Sequence, residues 1–200
     1  MATHSTHPLM KKTSLLLATV SLVASAFAAD TWNIDARHSG VTFSVRNFFV
    51  PVEGTFKIQS GAINFDSANP AASTVEAVIA VGSVNTQDAD RDKHLLNQDF
   101  FLTDKFPTAT FKSTSWTPAG ENKFIVAGEL TIKDVTKPLT LEVSFLGQGQ
   151  GNRGRTVSGW QAIAKMNRKD WGISYGASIA DEVSLTINVQ GVKAEAPKQG

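Results

Sequence analysis

The chain contains no cysteine, and that absence excludes several kinds of site. Without thiols there are no disulfides, no zinc–thiolate centre, no cysteine nucleophile and no lipid-modified cysteine. An excess of charge of one sign is also lacking, since 19 basic residues stand against 18 acidic ones. A chain with this balance has no strong electrostatic attraction for nucleic acid or for an anionic membrane surface. We therefore expect no nucleic-acid partner.

Long apolar runs are scarce, and the one near the N-terminus has the features of a secretory signal peptide. Lys11 and Lys12 precede an apolar stretch over residues 13–27, and Ala26 and Ala28 fit the small-residue cleavage pattern. The alternative is a membrane anchor, but a helix that spans a bilayer needs ~20 apolar residues and this stretch is shorter. We predict a signal peptide over residues 1–28, a periplasmic or secreted mature protein with a net charge of −1, and no stable membrane span.

Most of the remaining chain alternates apolar and polar residues with the period of two that is typical of half-buried strands. Phe43 and Val45 share one face of the first clear example, and Thr42 and Ser44 share the other. The glycine-rich residues 147–154 are predicted to form a flexible loop, and the polar residues 191–200 a frayed tail. The pattern predicts about eight strands, drawn from the nine segments 31–35, 39–47, 52–59, 75–81, 108–116, 124–132, 139–145, 156–166 and 183–189.

Connections of hairpin length between these strands indicate an antiparallel sandwich or an up-and-down barrel. A barrel is favoured because closure leaves no exposed strand edge. We predict an all-β fold, a single eight-stranded antiparallel barrel over residues 29–190 with one short helical insert. Bulky residues such as Phe43 and Phe145 alternate with small ones such as Ala77 and Ala162 on the inward faces. Small residues clustered on one side would leave an apolar tunnel, whereas interdigitated residues would fill the barrel.

Residues 84–111 interrupt the alternation and carry the helical insert. Asp88 and Asp92 suit the start of a helix, where unpaired N–H groups and the helix dipole favour negative charge. A helical pattern follows over residues 91–96, and Phe100 and Phe101 come soon after it. An isolated helix with neighbouring aromatic residues, set in an all-β chain, predicts a lid on one end of the barrel.

Several short motifs resemble those of the YceI family of secreted, lipocalin-like proteins, and they occur in the family's order. Each motif is weak alone, but together they span nearly all of residues 31–190. Asp134 departs from the glycine that is usual before VTKP, and Trp171 from a common phenylalanine; Asp tolerates left-handed backbone better than most residues. The motifs are TWNIDARHSGVTFSV from residue 31, GTF from residue 54, SVNT from residue 83, RDKHLLNQDFF from residue 91, KFPTATFKS from residue 105, GELTIKDVTKPLTLEV from residue 128 and NRKDWG from residue 167.

The resemblance implies a barrel whose elongated apolar cavity binds a polyisoprenoid, an isoprenoid quinone or a fatty-acyl amphiphile, commonly in a homodimer. The lipid would be a ligand or cargo, so no cofactor and no metal are expected. The competing interpretation is an enzyme acting on such lipids, with His94 and Asp92 at the cavity mouth. The predicted ligand-binding residues are Phe43, Val45, Phe56, Ile58, Arg91, His94, Leu95, Phe100, Phe101, Phe111, Phe124, Val126, Leu141, Val143, Trp160 and Trp171.

Two further groupings have the residue types of a catalytic or metal site. Asp88, Asp90 and Asp92 have the spacing of a calcium loop, but glycine is missing at its sixth position and its twelfth is Asp99, where a bidentate Glu is needed. Helix-start acids are the better interpretation of these three carboxylates. The segment His38-Ser39 has the residue types of a hydrolase, but no G-x-S-x-G elbow is present.

Simpler roles are therefore expected for the histidines and for the charged segment near residue 170. We expect His38 to cap a turn, and His94 to hydrogen-bond within the lid or to contact the polar head of a ligand. Residues 168–171 are expected to form a turn with solvated charges. The glycines of residues 147–154 lack the G-K-[ST] ending of a phosphate-binding loop.

Overall fold

A computed structural model of the chain describes Met1 and residues 29–195. The signal peptide predicted over residues 1–28 therefore lies almost entirely outside the described residues. Within residues 29–195 no helix is both long and apolar enough to cross a membrane. The elements are β1 (Asp30–Ile34), β2 (Gly40–Asn47), β3 (Val50–Phe65), β4 (Thr74–Asn85), α1 (Ala89–Leu95), β5 (Thr108–Gly120), β6 (Lys123–Ile132), β7 (Val135–Gln150), β8 (Thr156–Asn167) and β9 (Ile179–Lys193), with short 3₁₀ turns at Pro70–Ala72, Asn152–Gly154 and Arg168–Trp171.

The strands form one closed antiparallel sheet, which confirms the predicted barrel. Consecutive strands from β2 to β9 pair as neighbours, and β9 returns to pair with β2. The first two strands occupy a single position in the wall, because both β1 and β2 lie between β3 and β9. The result is an eight-stranded barrel whose first wall position is divided by a turn over residues 35–39.

The last strand extends beyond the predicted start of the polar tail. Gly191, Val192 and Lys193 pair with Ile34, Asn33 and Trp32 of β1, so they belong to the barrel wall. The alternation pattern does not predict this extension, because these residues become strand only by pairing with β1, about 160 positions away in the sequence.

The loop predicted over residues 147–154 is wrong in part, and the β6–β7 turn tolerates Asp134 for a reason other than the one expected. Residues 147–150 are not loop but the end of β7, and they pair with residues 156–159 of β8; the connection proper is the short turn Asn152–Gly154. In the β6–β7 turn the left-handed residue is Lys133, with φ of 56°, and not Asp134. The departure from glycine at Asp134 therefore places no strain on that turn.

The two ends of the barrel differ in kind. Strands β2, β4, β6 and β8 finish at one end, which also carries α1 and the long β8–β9 connection; we call it the mouth. The opposite end holds the turns that follow β3, β5 and β7 and is filled by aromatic side chains; we call it the floor. Lid and floor are thus on opposite ends, because α1 is inserted after a strand that runs toward the mouth.

Candidate functional site

The interior of the barrel contains a cavity of about 380 Å³. Its wall is formed by the inward-facing rows that the alternation predicts, so period-two patterning positions the lining. Small side chains occur in the wall at Ala77, Ala109 and Ala162, where they leave space that larger residues would fill. The strand residues of the wall include Val41, Phe43, Val45, Phe56, Ile58, Val75, Ile79, Phe111, Leu141, Val143, Val183, Leu185, Ile187 and Val189.

The empty space is off-centre. Inward side chains of β2 and β9, such as Phe43 and Leu185, are only half-buried, whereas those of β6 and β7, such as Leu130 and Leu141, are fully buried. A half-buried side chain that points into a closed barrel borders unfilled space. The cavity therefore extends mainly along β2 and β9, although β6 and β7 also line it through buried side chains such as Leu141.

Aromatic rings pack together as the floor of the cavity. The ring of Phe65 lies 5.0 Å from Trp160, 5.5 Å from Phe124 and 5.9 Å from Phe145. Trp116 joins the cluster at 5.6 Å from Phe124. Offset and edge-to-face ring pairs at these distances are favourable beyond their buried area, so the rings pack as one cluster at this end of the barrel.

Within residues 29–195 the polar side chains that line the cavity all lie at the mouth. Of the described residues that line the cavity, Asn47 ends β2, Thr86 follows β4, and the remaining polar ones lie in the lid and in the β8–β9 connection. Every other wall residue is apolar, apart from the indole N–H groups of the tryptophans. An amphiphile bound here would be oriented with its tail toward the floor and its head toward the polar lining residues Asn47, Thr86, Arg91, His94, Arg168 and Tyr175.

The lid helix α1 is fixed to the end of β4 by polar contacts. Asp88 is its N-cap and accepts a hydrogen bond from the backbone N–H of Arg91. The carboxylate of Asp92 accepts from both the backbone N–H and the hydroxyl of Thr86, at 2.8 and 2.6 Å. Arg91 donates from Nε to the Thr86 hydroxyl and from Nη2 to the Thr86 carbonyl. Leu95 is thereby positioned over the cavity.

The aromatic segment after α1 completes the lid. Phe100 is buried and Phe101 half-buried, and both line the cavity. Phe101 meets the ring of Phe56 edge to face at 5.5 Å. Lys133, from the β6–β7 turn, donates to the carbonyl of Phe100 at 3.0 Å and so connects the lid to the far side of the mouth.

His94 lies within the lid, as expected, and also reaches the cavity wall. Its Nε2 is 2.9 Å from a carboxylate oxygen of Asp99. The imidazole is held edge to face between Phe100 and Tyr175, at 5.1 and 5.0 Å. Asp92, which the enzyme interpretation places with His94 at the mouth, accepts its hydrogen bonds from Thr86.

Arg168 is buried, so the expectation that the charges of residues 168–171 are solvated is wrong for this residue. Its guanidinium donates to the carbonyls of Ile173, Tyr175, Gly176, Ile179 and Ala180 at 2.8–3.3 Å. Arg is suited to this position because its five N–H donors are fixed in one plane. It holds the β8–β9 connection in place at the mouth.

The structure brings most of the predicted ligand-binding residues to one cavity, although their role in binding stays a prediction. Phe124 packs into the floor, Val126 is fully buried beside it, and Trp171 donates its indole N–H to the carbonyl of Leu130 at 2.9 Å; none of these three lines the cavity. Those that do are Phe43, Val45, Phe56, Ile58, Arg91, His94, Leu95, Phe100, Phe101, Phe111, Leu141, Val143 and Trp160.

Several lining residues were missed from the predicted set. Val183, Leu185 and Ile187 of β9 carry the same alternating signal as the residues that were chosen, but alternation does not show which inward row borders empty space. Arg168 and Tyr175 lie in an irregular connection that has no periodic signal.

The remaining candidate sites have local structural roles. The carboxylates of Asp88 and Asp92 are bonded within the lid, and in residues 29–195 no three His, Asp or Glu side chains form a group able to hold a metal ion. His38 Nδ1 is 2.9 Å from a carboxylate oxygen of Asp35 in the β1–β2 turn. That contact, with the backbone N–H of Arg37, lowers the pKa of Asp35 below its ordinary value.

Sequence comparison relates this chain to known proteins over nearly its whole length. A family model described as YceI-like domain matches residues 32–191. Protein YceI of Shigella flexneri is 41% identical over 191 residues, covering 92% of this chain and 99% of that protein. Protein YceI of Salmonella arizonae is 39% identical over 182 residues, covering 90% of this chain and 93% of that one.

Solved structures share the same architecture. Burkholderia cenocepacia BcnA has a TM-score of 0.71 at 27% identity, covering 78% of this chain and 98% of its own. The Campylobacter jejuni YCEI protein has a TM-score of 0.65 at 31% identity, covering 72% and 86%. A polyisoprenoid binding domain from Saccharophagus degradans has a TM-score of 0.58, covering 84% and 99%, and at 17% identity it shows the common fold alone. With a family match across the whole barrel, this chain belongs to the YceI-like family.

Proposed function

We propose that the protein binds a long-chain apolar lipid in the barrel cavity and carries or stores it in the periplasm. The observation that carries the proposal is the apolar cavity of about 380 Å³ with polar side chains at its mouth. This volume lies within the ~300–1,000 Å³ typical of ligand pockets. Apolar cavities stay dry when no guest is present, so an apolar guest does not have to displace well-bound water.

Burial of the lipid tail supplies the driving force for binding. Each Å² of apolar surface that is removed from water contributes about 25 cal/mol. The aromatic floor, with Trp160 and Trp116 in its wall, receives the end of the tail. The polar lining residues at the mouth, among them Arg91, His94 and Tyr175, receive the polar head. A polyisoprenoid, an isoprenoid quinone and a fatty-acyl amphiphile all have this arrangement of tail and head.

The predicted signal peptide implies a periplasmic location, and a lipid-binding role is useful in that compartment. A long isoprenoid is too apolar to cross an aqueous compartment unaccompanied, whereas a closed barrel with a charged exterior crosses it freely. Membership of the YceI-like family supports a binding role, because resemblance to that family implies lipid binding. A homodimer is a further expectation of that resemblance.

The test compares a variant that fills the cavity with one that changes only the exterior. Ala77→Phe places a ring in the cavity, whereas Thr110→Phe adds the same ring on the exposed face of neighbouring β5. Native mass spectrometry of protein purified from its own periplasm measures the mass of bound lipid and the oligomeric state together. We expect one lipid per chain in wild type and in Thr110→Phe, and loss of most of it in Ala77→Phe.

Two results would overturn the proposal. Wild-type protein that arrives empty and takes up no labelled polyprenol, quinone or fatty acid would show that the cavity is not a lipid site. Equal lipid occupancy in Ala77→Phe and wild type would place the guest outside the cavity. Chemical conversion of an offered lipid would instead favour the enzyme interpretation.

A further inference from the structure

The turn between β2 and β3 exposes three consecutive apolar side chains. Phe48, Phe49 and Val50 are 66%, 89% and 66% exposed, the highest values for large apolar residues within residues 29–195. Asn47 pairs with Val50, so Phe48 and Phe49 alone form the turn. Phe48 has φ of 52°, a conformation for which hairpin turns ordinarily use Gly, Asn or Asp. Two phenylalanines are unusual here, because hairpin turns rarely contain them and aromatic side chains are ordinarily buried.

This turn is held rigidly in its outward position. The backbone N–H of Phe48 donates to the carbonyl of Ser178 in the β8–β9 connection at 2.8 Å. Arg46 donates from its guanidinium to the carbonyl of Phe48 at 3.0 Å. The rings are therefore presented to solvent by a fixed backbone.

The turn lies beside the entrance of the cavity. Val45, Asn47 and Val52, on the two strands that lead into and out of it, line the cavity. Ile179 lines both the cavity and a shallow surface depression that also includes Phe48 and Phe49. The exposed rings and the space that the lipid would occupy therefore lie on either side of Ile179.

Several charged side chains around the turn form ion pairs, whereas Arg46 has no carboxylate partner within residues 29–195. Lys169 is 2.9 Å from Asp181, and Lys165 is 2.9 Å from Glu182. A single unpaired guanidinium supplies only a weak complementary field for a charged protein partner or an anionic headgroup. The apolar side chains are therefore the part of this surface that selects a partner.

The exposed apolar area is too small for a stable interface with another protein. Each aromatic side chain buries roughly 150–250 Å², so the three residues supply about 500 Å², whereas a stable complex buries about 800 Å² on each partner. A lipid bilayer imposes no such threshold, since it takes up individual apolar side chains into its interfacial region. Weak, reversible attachment also suits a protein that must leave the membrane with its cargo.

We propose that Phe48, Phe49 and Val50 form a membrane-docking tip that inserts into a bilayer surface and brings the cavity mouth against it. The inference rests on the proposed lipid-binding function, for which the docked position provides a route between bilayer and cavity. Because Arg46 adds a single basic charge beside the tip, docking depends only weakly on anionic lipid.

The experiment measures co-sedimentation of the purified protein with vesicles of phosphatidylcholine, and of phosphatidylcholine mixed with phosphatidylglycerol. The test variant combines Phe48→Asn with Phe49→Ser, because Asn accepts the left-handed conformation and should preserve the turn. The control is Leu146→Ser, which removes an apolar side chain that is 64% exposed on the outer wall. We expect the test variant to lose at least about tenfold in vesicle affinity, from lost burial of two aromatic rings. Wild type and Leu146→Ser should bind each vesicle type equally, and phosphatidylglycerol should raise the affinity of both by no more than about fivefold, the effect of one basic side chain.

A second measurement separates this inference from the proposed function. Labelled polyprenol is delivered either from solvent or from phosphatidylcholine vesicles, and its uptake is followed. We expect the test variant to match wild type for delivery from solvent and to be at least about tenfold slower from vesicles. Equal uptake rates from vesicles in the test variant and wild type would overturn docking, and so would equally tight vesicle binding. Either result would leave the proposed lipid-binding function intact. No uptake from either source by wild type would overturn the proposed function, and with it this inference. A concentration-dependent dimer that the test variant abolishes, without vesicle binding by wild type, would assign the tip to a second copy of the chain instead.

Discussion

A single buried guanidinium organises the β8–β9 connection at the cavity mouth. Arg168 satisfies five backbone carbonyls, whereas neighbouring Lys169 makes an exposed ion pair with Asp181 at 2.9 Å. The two residues are adjacent in the sequence and carry the same charge, but only one of them is buried. Sequence patterning cannot distinguish them, because the difference arises from how the connection folds back over residue 168.

This difference predicts unequal effects on stability. We expect Arg168→Lys to lower the free energy of unfolding by about 2 kcal/mol or more, because three donors on a flexible stem cannot satisfy five fixed carbonyls. Lys169→Met should change it by less than about 0.5 kcal/mol, as is usual for an exposed ion pair. Urea unfolding followed by circular dichroism measures both values. Equal losses in the two variants would show that Arg168 contributes only its charge.

At the scale of elements, the sequence specifies strands well where one face is apolar and poorly where neither face is. The alternating rows of β2 and β6 predict their strands to within a few residues, because burial of one face dictates a period of two. The segment GQGQ at the end of β7 has no apolar row, and it becomes a strand only through pairing with β8. Tertiary pairing overrides weak local propensity there. The lid was predictable for the opposite reason, since acidic residues at a helix start are a local signal.

The lid helix provides a prediction at this scale. Asp92→Ala removes both hydrogen bonds from Thr86 to the helix, whereas Asp90→Ala removes another first-turn carboxylate for which no such bond is present within residues 29–195. Both variants lose the same favourable interaction with the helix dipole, so their difference reports the Thr86 contact. We expect faster amide hydrogen exchange over residues 89–101 and faster lipid release in Asp92→Ala alone. Identical exchange in the two variants would show that the lid is held by its apolar contacts.

At the scale of the whole molecule, the sequence pattern could not predict which part of the barrel interior is filled by side chains and which part is empty. The alternation allowed either a filled interior or an apolar tunnel, and the barrel contains both, in different parts. A Cβ added at Gly128 would overlap the ring of Phe111, so large and small residues interdigitate on that side. Ala77 and Ala109, by contrast, border the cavity. Phe124 was predicted to line the cavity and lies in the floor instead, because its position along the barrel axis, and not its face, decides its neighbours.

An unfilled cavity links the stability of the entire barrel to its ligand. A lipid that binds only the folded state stabilises it by about 2.7 kcal/mol at a free concentration one hundred times the dissociation constant. We therefore expect delipidated wild type and Thr110→Phe to unfold at a lower temperature than their loaded forms in scanning calorimetry. In Ala77→Phe the difference should vanish, because the introduced ring occupies the space of the guest and supplies its packing contacts permanently. Loaded and delipidated wild type that unfold at the same temperature would show that the guest leaves folding unaffected, which an occupant of the barrel interior cannot do.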